Sequence, residues 1–109
     1  MPKRDRKLEQ ITALLKREFK PSRLFLFGSQ AAGTARLESD YDFVMVLRNY
    51  KGSRMRTWEK CRDLIFEKYG ILADVFTYSE SQFERSKKEF SSIAETAFNT
   101  GKEIDLGAP

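Results

Sequence analysis

The segment Leu24 to Val46, LFLFGSQAAGTARLESDYDFVMV, constrains the fold more than any other part of the chain. A short apolar run breaks at Gly28-Ser29, ten residues intervene, and a second apolar run begins on Asp40-Tyr41-Asp42. Aspartate is disfavoured in strands, so two of them at the mouth of a core-like run require a reason. Side chains alternate along a strand, which places residues two apart on one face, roughly 6.5–7 Å apart at their Cα atoms. Asp40 and Asp42 therefore project together if the strand starts at or just before them. On a helix the same pair would diverge by about 200°.

The remaining elements follow from periodicity and punctuation. Leu8, Ile11, Leu14, Leu15 and Phe19 recur at helical spacing and predict a helix over 5–19, ended by Pro21-Ser22. Arg23 to Phe27 reads as a buried strand, and Gln30 to about Arg36 as a short helix with Ser29 as its N-cap. Tyr41 to Leu47 is a second strand, followed by a loop from Asn49 to Ser53. A long helix over 54–69 carries Met55, Trp58, Cys61, Ile65 and Tyr69 on one face and stops at Gly70. Ile71 to Tyr78 is a third strand, and Ser79 with Gln82 forms a capping-box pattern. Ile93, Ala94, Ala97, Phe98 and Gly101 mark a final helix, and the tail from Asp105 to Pro109 is expected to fray. This predicts an α/β (α+β) domain spanning residues 1–109, a small mixed sheet of about three strands flanked by helices.

Composition narrows the chemistry. Among the 109 residues there is no histidine, so neither a Ser-His-Asp nor a Cys-His centre is available, and a typical zinc site is disfavoured. Cys61 stands alone, which excludes an intrachain disulfide and suits a reducing cytoplasm. No apolar run is long enough for a membrane span and no signal-peptide pattern is present. The net charge of +4 sits in residues 1–20, where seven Lys/Arg face three acids; the other 89 residues balance. That basic helix is suited to nucleic acid, to an acidic partner or simply to solvent.

A third aspartate, Asp74, interrupts the apolar run from Ile71 to Phe76. An unpaired charge there carries a heavy desolvation cost. If the second and third strands are neighbours, Asp74 lies beside Asp40 and Asp42. The crowded carboxylates then favour a hard divalent cation, Mg²⁺ or Mn²⁺. Each aspartate also has a plainer reading: turn chemistry for Asp40 after Ser39, an exposed strand edge for Asp42, and an ion pair with Arg48 or Arg36 for Asp74. Gly28-Ser29 divides in the same way. It is either an ordinary strand-to-helix turn or a turn whose backbone amides and Ser29 hydroxyl cradle phosphate.

The joined pattern G-S-x10-D-x-D, with Asp74 on a later strand, resembles the nucleotidyltransferase superfamily related to DNA polymerase beta. More narrowly, it resembles the minimal nucleotidyltransferases (MNT), small prokaryotic proteins often paired with a HEPN-domain partner as toxin–antitoxin systems. The resemblance covers nearly the whole chain. It implies that Gly28 and Ser29 bind the triphosphate of ATP, and that Asp40, Asp42 and Asp74 hold metal ions. It further implies that Asp74 helps deprotonate an acceptor hydroxyl. Relatives often carry arginines just after the G-S, where this chain has Gln30 and Ala32; Arg36 is a candidate to replace them.

The implied activity is Mg²⁺-dependent transfer of a nucleoside monophosphate, AMP from ATP, to a hydroxyl of a partner toxin. A chain of this length leaves no room for an acceptor-binding domain, so a hetero-complex or homo-oligomer would complete the site. The competing readings are a non-catalytic antitoxin that masks its toxin, and a nucleotidyltransferase acting on a small molecule or RNA end. A D-x-D glycosyltransferase would leave the Gly28-Ser29 turn unexplained.

Overall fold

A computed structural model describes residues 5–34 and 40–107 of the chain. Helix α1 (Arg6–Phe19) opens on Asp5, whose carboxylate accepts from the Leu8 amide at 3.0 Å. The helix buries Ile11, Leu14 and Leu15 and closes on Lys20 in the left-handed region. Strand β1 (Arg23–Phe27) runs directly into the one-and-a-half-turn helix α2 (Gly28–Ala32). Strand β2 (Tyr41–Leu47), helix α3 (Arg54–Tyr69) and strand β3 (Ala73–Ser79) form a crossover unit. Helices α4 (Glu80–Ser86) and α5 (Ile93–Thr100) follow, then the two-residue strand β4 (Lys102–Glu103).

The sheet has the order β3-β2-β1-β4. β2 and β3 are parallel, as a helical crossover requires, whereas β1 is antiparallel to both β2 and β4. Alternation then builds two cores. Leu24, Leu26, Phe43, Met45 and Val75 pack with Ile11 and Leu15 of α1 and Cys61 and Ile65 of α3. On the opposite face, Phe25, Val44, Val46 and Tyr78 pack with Phe83, Ala94 and Ala97 of α4 and α5. Both layers hang on a mixed α/β sheet of four strands rather than about three.

Strand β4 escapes sequence reading because two exposed charged residues carry no apolar period. Tertiary pairing makes it: Lys102 and Glu103 align with Leu26 and Phe25, and the Ile104 amide donates to the Leu24 carbonyl at 2.8 Å. The same contact carries Leu106 back against the core, so the tail is packed beyond Asp105, where fraying was expected. Residues 108–109 lie outside the described set.

Three other boundaries shift. β3 begins at Ala73 rather than Ile71, because β2 starts opposite it: Tyr41 aligns with Ala73 and its amide donates to the Leu72 carbonyl at 3.1 Å as the first bond of the ladder. Met55 is 64% exposed rather than part of the buried face of α3, and lines an open cleft with Arg54, Trp58 and Phe76. Helix α2 starts at Gly28 with Phe27 as a cap that makes no side-chain bond, so Ser29 lies inside the first turn and is not the N-cap. The helix stops at Gly33 in the left-handed region, short of the expected Arg36, which lies outside the described residues. The Ser79–Gln82 capping box forms as expected, with Ser79 Oγ accepting from the Gln82 amide and Gln82 Oε1 from the Ser79 amide.

Candidate active site

One end of the sheet collects the end of β1 and the starts of β2 and β3. In register, Phe27 aligns with Asp42 and Asp42 aligns with Asp74. Cross-strand partners share a face, so Asp42 and Asp74 stand side by side on adjacent strands, about 4.7–4.9 Å apart in strand spacing. Tyr41 points to the opposite face and is buried, with its hydroxyl donating to Asp5 Oδ2 at 3.0 Å. Burial and that carboxylate push the Tyr41 phenol up to about 12. This tether fixes the phase of β2 and thereby the direction of Asp42. Asp40 lies half-buried just before the strand.

Gly28 ends β1 with φ +74 and closes on the carboxylate. A Cβ at this position would lie 2.7 Å from Asp42 Oδ2, nearer than a nonbonded contact permits. Only glycine satisfies both the left-handed backbone and this approach. The amides of Gly28 and Ser29 belong to the first turn of α2 and have no intrahelical acceptor. Ser29 is half-buried beside them. If its hydroxyl serves an outer phosphate, Ser29→Ala should weaken ATP binding by about 1–3 kcal/mol, the range for a bond to a charged group. AMP binding should be nearly unchanged. Calorimetry with the two nucleotides checks this, and equal losses would assign Ser29 to the turn alone.

The carboxylates perturb one another. Burial raises the Asp42 carboxyl above its ordinary value, and the charges of Asp74 and Asp40 push it in the same direction. Asp74 is balanced by partners on α3: Trp58 Nε1 donates to Asp74 Oδ1 at 2.9 Å, and Arg62 Nη1 donates to the same oxygen at 2.7 Å. Neither arginine considered from the sequence fills that role in the described structure. Arg48 reaches Glu80 at 4.0 Å, and Arg36 lies outside the described residues. Trp58 and Arg62 were invisible as site residues because Trp58 read as an ordinary core position. Their spacing on one helical face, combined with a β2-α3-β3 crossover, is the signal that could have found them.

No group of three His, Cys, Asp or Glu among the described residues is arranged to hold a metal as it stands. The donor set nevertheless suits a hard divalent cation in kind. It consists of carboxylate oxygens, and Asp42 is destabilised by two acidic neighbours that a cation would offset. Beside Asp74 opens an apolar cleft of about 430 Å³ lined by Arg54, Met55, Trp58 and Phe76. A larger hollow of about 620 Å³, lined in part by Lys16, Lys20 and Arg48, lies at the other end of β1 and β2, away from the aspartates.

A mixed sheet flanked by helices, with a glycine-serine turn leaving one strand and aspartates on the next two, is consistent with a nucleotidyltransferase fold. Residues 9–105 match the polymerase beta nucleotidyltransferase family, and the chain belongs to that family. Among solved structures, the fold is similar to one described as the crystal structure of the toxin-antitoxin with AMP-PNP. The TM-score is 0.65 at 16% identity, covering 93% of this chain and 73% of the other. No curated protein matches the chain in sequence. Among the described residues, no helix is long and apolar enough to cross a membrane.

Proposed function

We propose that this chain is a minimal nucleotidyltransferase that transfers AMP from ATP to a hydroxyl on a partner protein, acting as the antitoxin of a toxin–antitoxin pair. The observation that carries the reading is the alignment of Asp42 with Asp74 at one sheet end, with Gly28 closed against Asp42. Gly28 and Ser29 receive the triphosphate. Asp40, Asp42 and Asp74 are the residues to hold Mg²⁺ or Mn²⁺, which when bound supplies charge neutralisation of the phosphates and of the attacking oxygen. The acceptor oxygen bonds to the α-phosphorus while the bond to the pyrophosphate leaving group breaks, and Asp74 accepts the hydroxyl proton.

The partner reading draws on the toxin–antitoxin description of the similar structure and on the resemblance to MNT proteins, which are often paired with a HEPN-domain partner. Exposed apolar side chains support a protein partner: Phe90 between α4 and α5 is 93% exposed, and Ile93 and Phe98 of α5 are partly exposed. The apolar cleft beside Asp74 offers a seat for the group bearing the acceptor hydroxyl. Gln30 and Ala32, standing where relatives often have arginine, favour a second reading in which the chain neutralises its partner by masking it.

Asp74→Asn separates the two. Transfer of labelled AMP to the co-expressed partner should be lost, while much of the Mg·ATP affinity persists through Asp40, Asp42 and the Gly28-Ser29 turn. Asparagine keeps an oxygen to accept from Trp58 and Arg62, so the fold should survive. Loss of transfer together with loss of neutralisation in cells ties neutralisation to chemistry. Loss of transfer with neutralisation intact selects masking, and transfer at the parent rate removes Asp74 from the reaction.

A further inference from the structure

Asp74 is oriented from outside its own strand. Trp58 and Arg62 lie four residues apart on α3, on one helical face, and the Arg62 guanidinium carbon sits 5.4 Å from the Trp58 ring centre. Both donate to the same carboxylate oxygen, Oδ1, and among the described residues no donor reaches Oδ2. The pair is largely shielded, with the side chains 20% exposed for Asp74 and 32% for Arg62. A charge-assisted bond in that setting is stronger and more persistent than a surface ion pair. Carboxylates that ligate metals are characteristically fixed by hydrogen bonds from a surrounding layer of residues.

We propose that Trp58 and Arg62 are positioning residues that hold Asp74 by Oδ1 and present Oδ2 to a divalent cation beside Asp42. This rests on the reading of Asp74 given above. The alternative geometry, in which Arg62 blocks the site as a competing cation, would have the guanidinium engage both carboxylate oxygens; it engages one. One guanidinium against three carboxylates also leaves the described cluster net negative, so Arg62 orients Asp74 without removing the attraction for a divalent cation.

Trp58 is the only tryptophan of the chain, which supplies a reporter at the site itself. The full chain is titrated with Mn²⁺, a paramagnetic quencher of nearby indole fluorescence, and circular dichroism confirms that each variant is folded. The parent should show saturable quenching, and Asp74→Asn, which keeps Asp40 and Asp42 but loses one carboxylate, should reach it only at a much higher Mn²⁺ midpoint. Arg62→Ala should shift the Mn²⁺ midpoint upward by about 10–100-fold, the usual cost of removing such a supporting contact. Arg62→Lys, which keeps the charge and loses the planar fork, should recover only part of that loss. In the transfer assay the Arg62→Ala loss should fall on kcat, with KM for ATP little changed.

An unchanged or tighter Mn²⁺ midpoint in folded Arg62→Ala would overturn the proposal, as would an unchanged midpoint in Asp74→Asn. The Mn²⁺ measurement needs no acceptor. If it behaves as expected while no partner becomes modified, the positioning role stands and the functional reading fails.

Discussion

Asp42→Asn should abolish nucleotidyl transfer, by at least about a hundredfold, and at the same time stabilise the cation-free protein at neutral pH. The loss of transfer has the scale expected when a preorganised electrostatic group is removed from a reacting centre. The gain in stability follows from the raised Asp42 carboxyl, whose causes are burial first and then the charges of Asp74 and Asp40. A carboxyl with a folded-state value above its unfolded one disfavours the fold wherever it is ionised in the folded state. That cost is fully present above the folded value, diminishes as pH falls through it, and is gone below the unfolded value. Asparagine removes the charge, so its advantage should be largest near neutrality and vanish in acid. Thermal unfolding of both proteins across pH in a chelator checks the sign. A variant less stable at every pH would mean that Asp42 is held by a favourable partner. ATP binding to the parent should in turn require Mg²⁺ or Mn²⁺, and tight binding without either, measured calorimetrically, would count against the assigned site.

Gly28→Ala should match Asp42→Asn in lost transfer while also destabilising the fold. An alanine at φ +74 costs on the order of 1–3 kcal/mol in backbone strain alone. The added methyl would also stand 2.7 Å from Asp42 Oδ2 and drive the carboxylate from its place. Gly33 gives the control, since it has the same φ of +74 but nothing within 4 Å of its hypothetical Cβ. Gly33→Ala should share the loss in thermal stability and keep transfer near the parent rate. Equal transfer by both variants would show that the approach of Gly28 to Asp42 has no part in the chemistry.

These two variants differ in how far the sequence alone could have suggested them. Asp42 was legible as a carboxylate at the mouth of an apolar run, and alternation, a local property of the backbone, sets it on the face opposite Tyr41; Asp40 lies before the strand begins, so the shared face expected of the pair rests on no strand pairing. Gly28 was legible as a turn, but its contact with Asp42 depends on the antiparallel register of β1 and β2, which a distant pairing sets. Ser29 looked like a cap because serine before a helical run commonly is one. In the structure α2 begins two residues earlier, since the strand turns directly at Gly28.

The sequence by itself determined the elements whose causes are local. Helix α1 with its apolar stripe, the Gly70 stop of α3, the Ser79–Gln82 box, and strands β1 and β2 each follow from contacts within a turn or from alternation along a strand. Tertiary structure alone decided what pairs with what. β4 exists because Lys102 and Glu103 meet β1, and the parallel placement of β3 beside β2 brings Asp74 level with Asp42. The crossover that makes this possible lays α3 along β3, and so selects Arg62 and Trp58, rather than Arg48, as the groups that balance Asp74. A carboxylate set in an apolar run announces in the sequence that it needs a partner, but which partner it finds is set by the path of the chain through space.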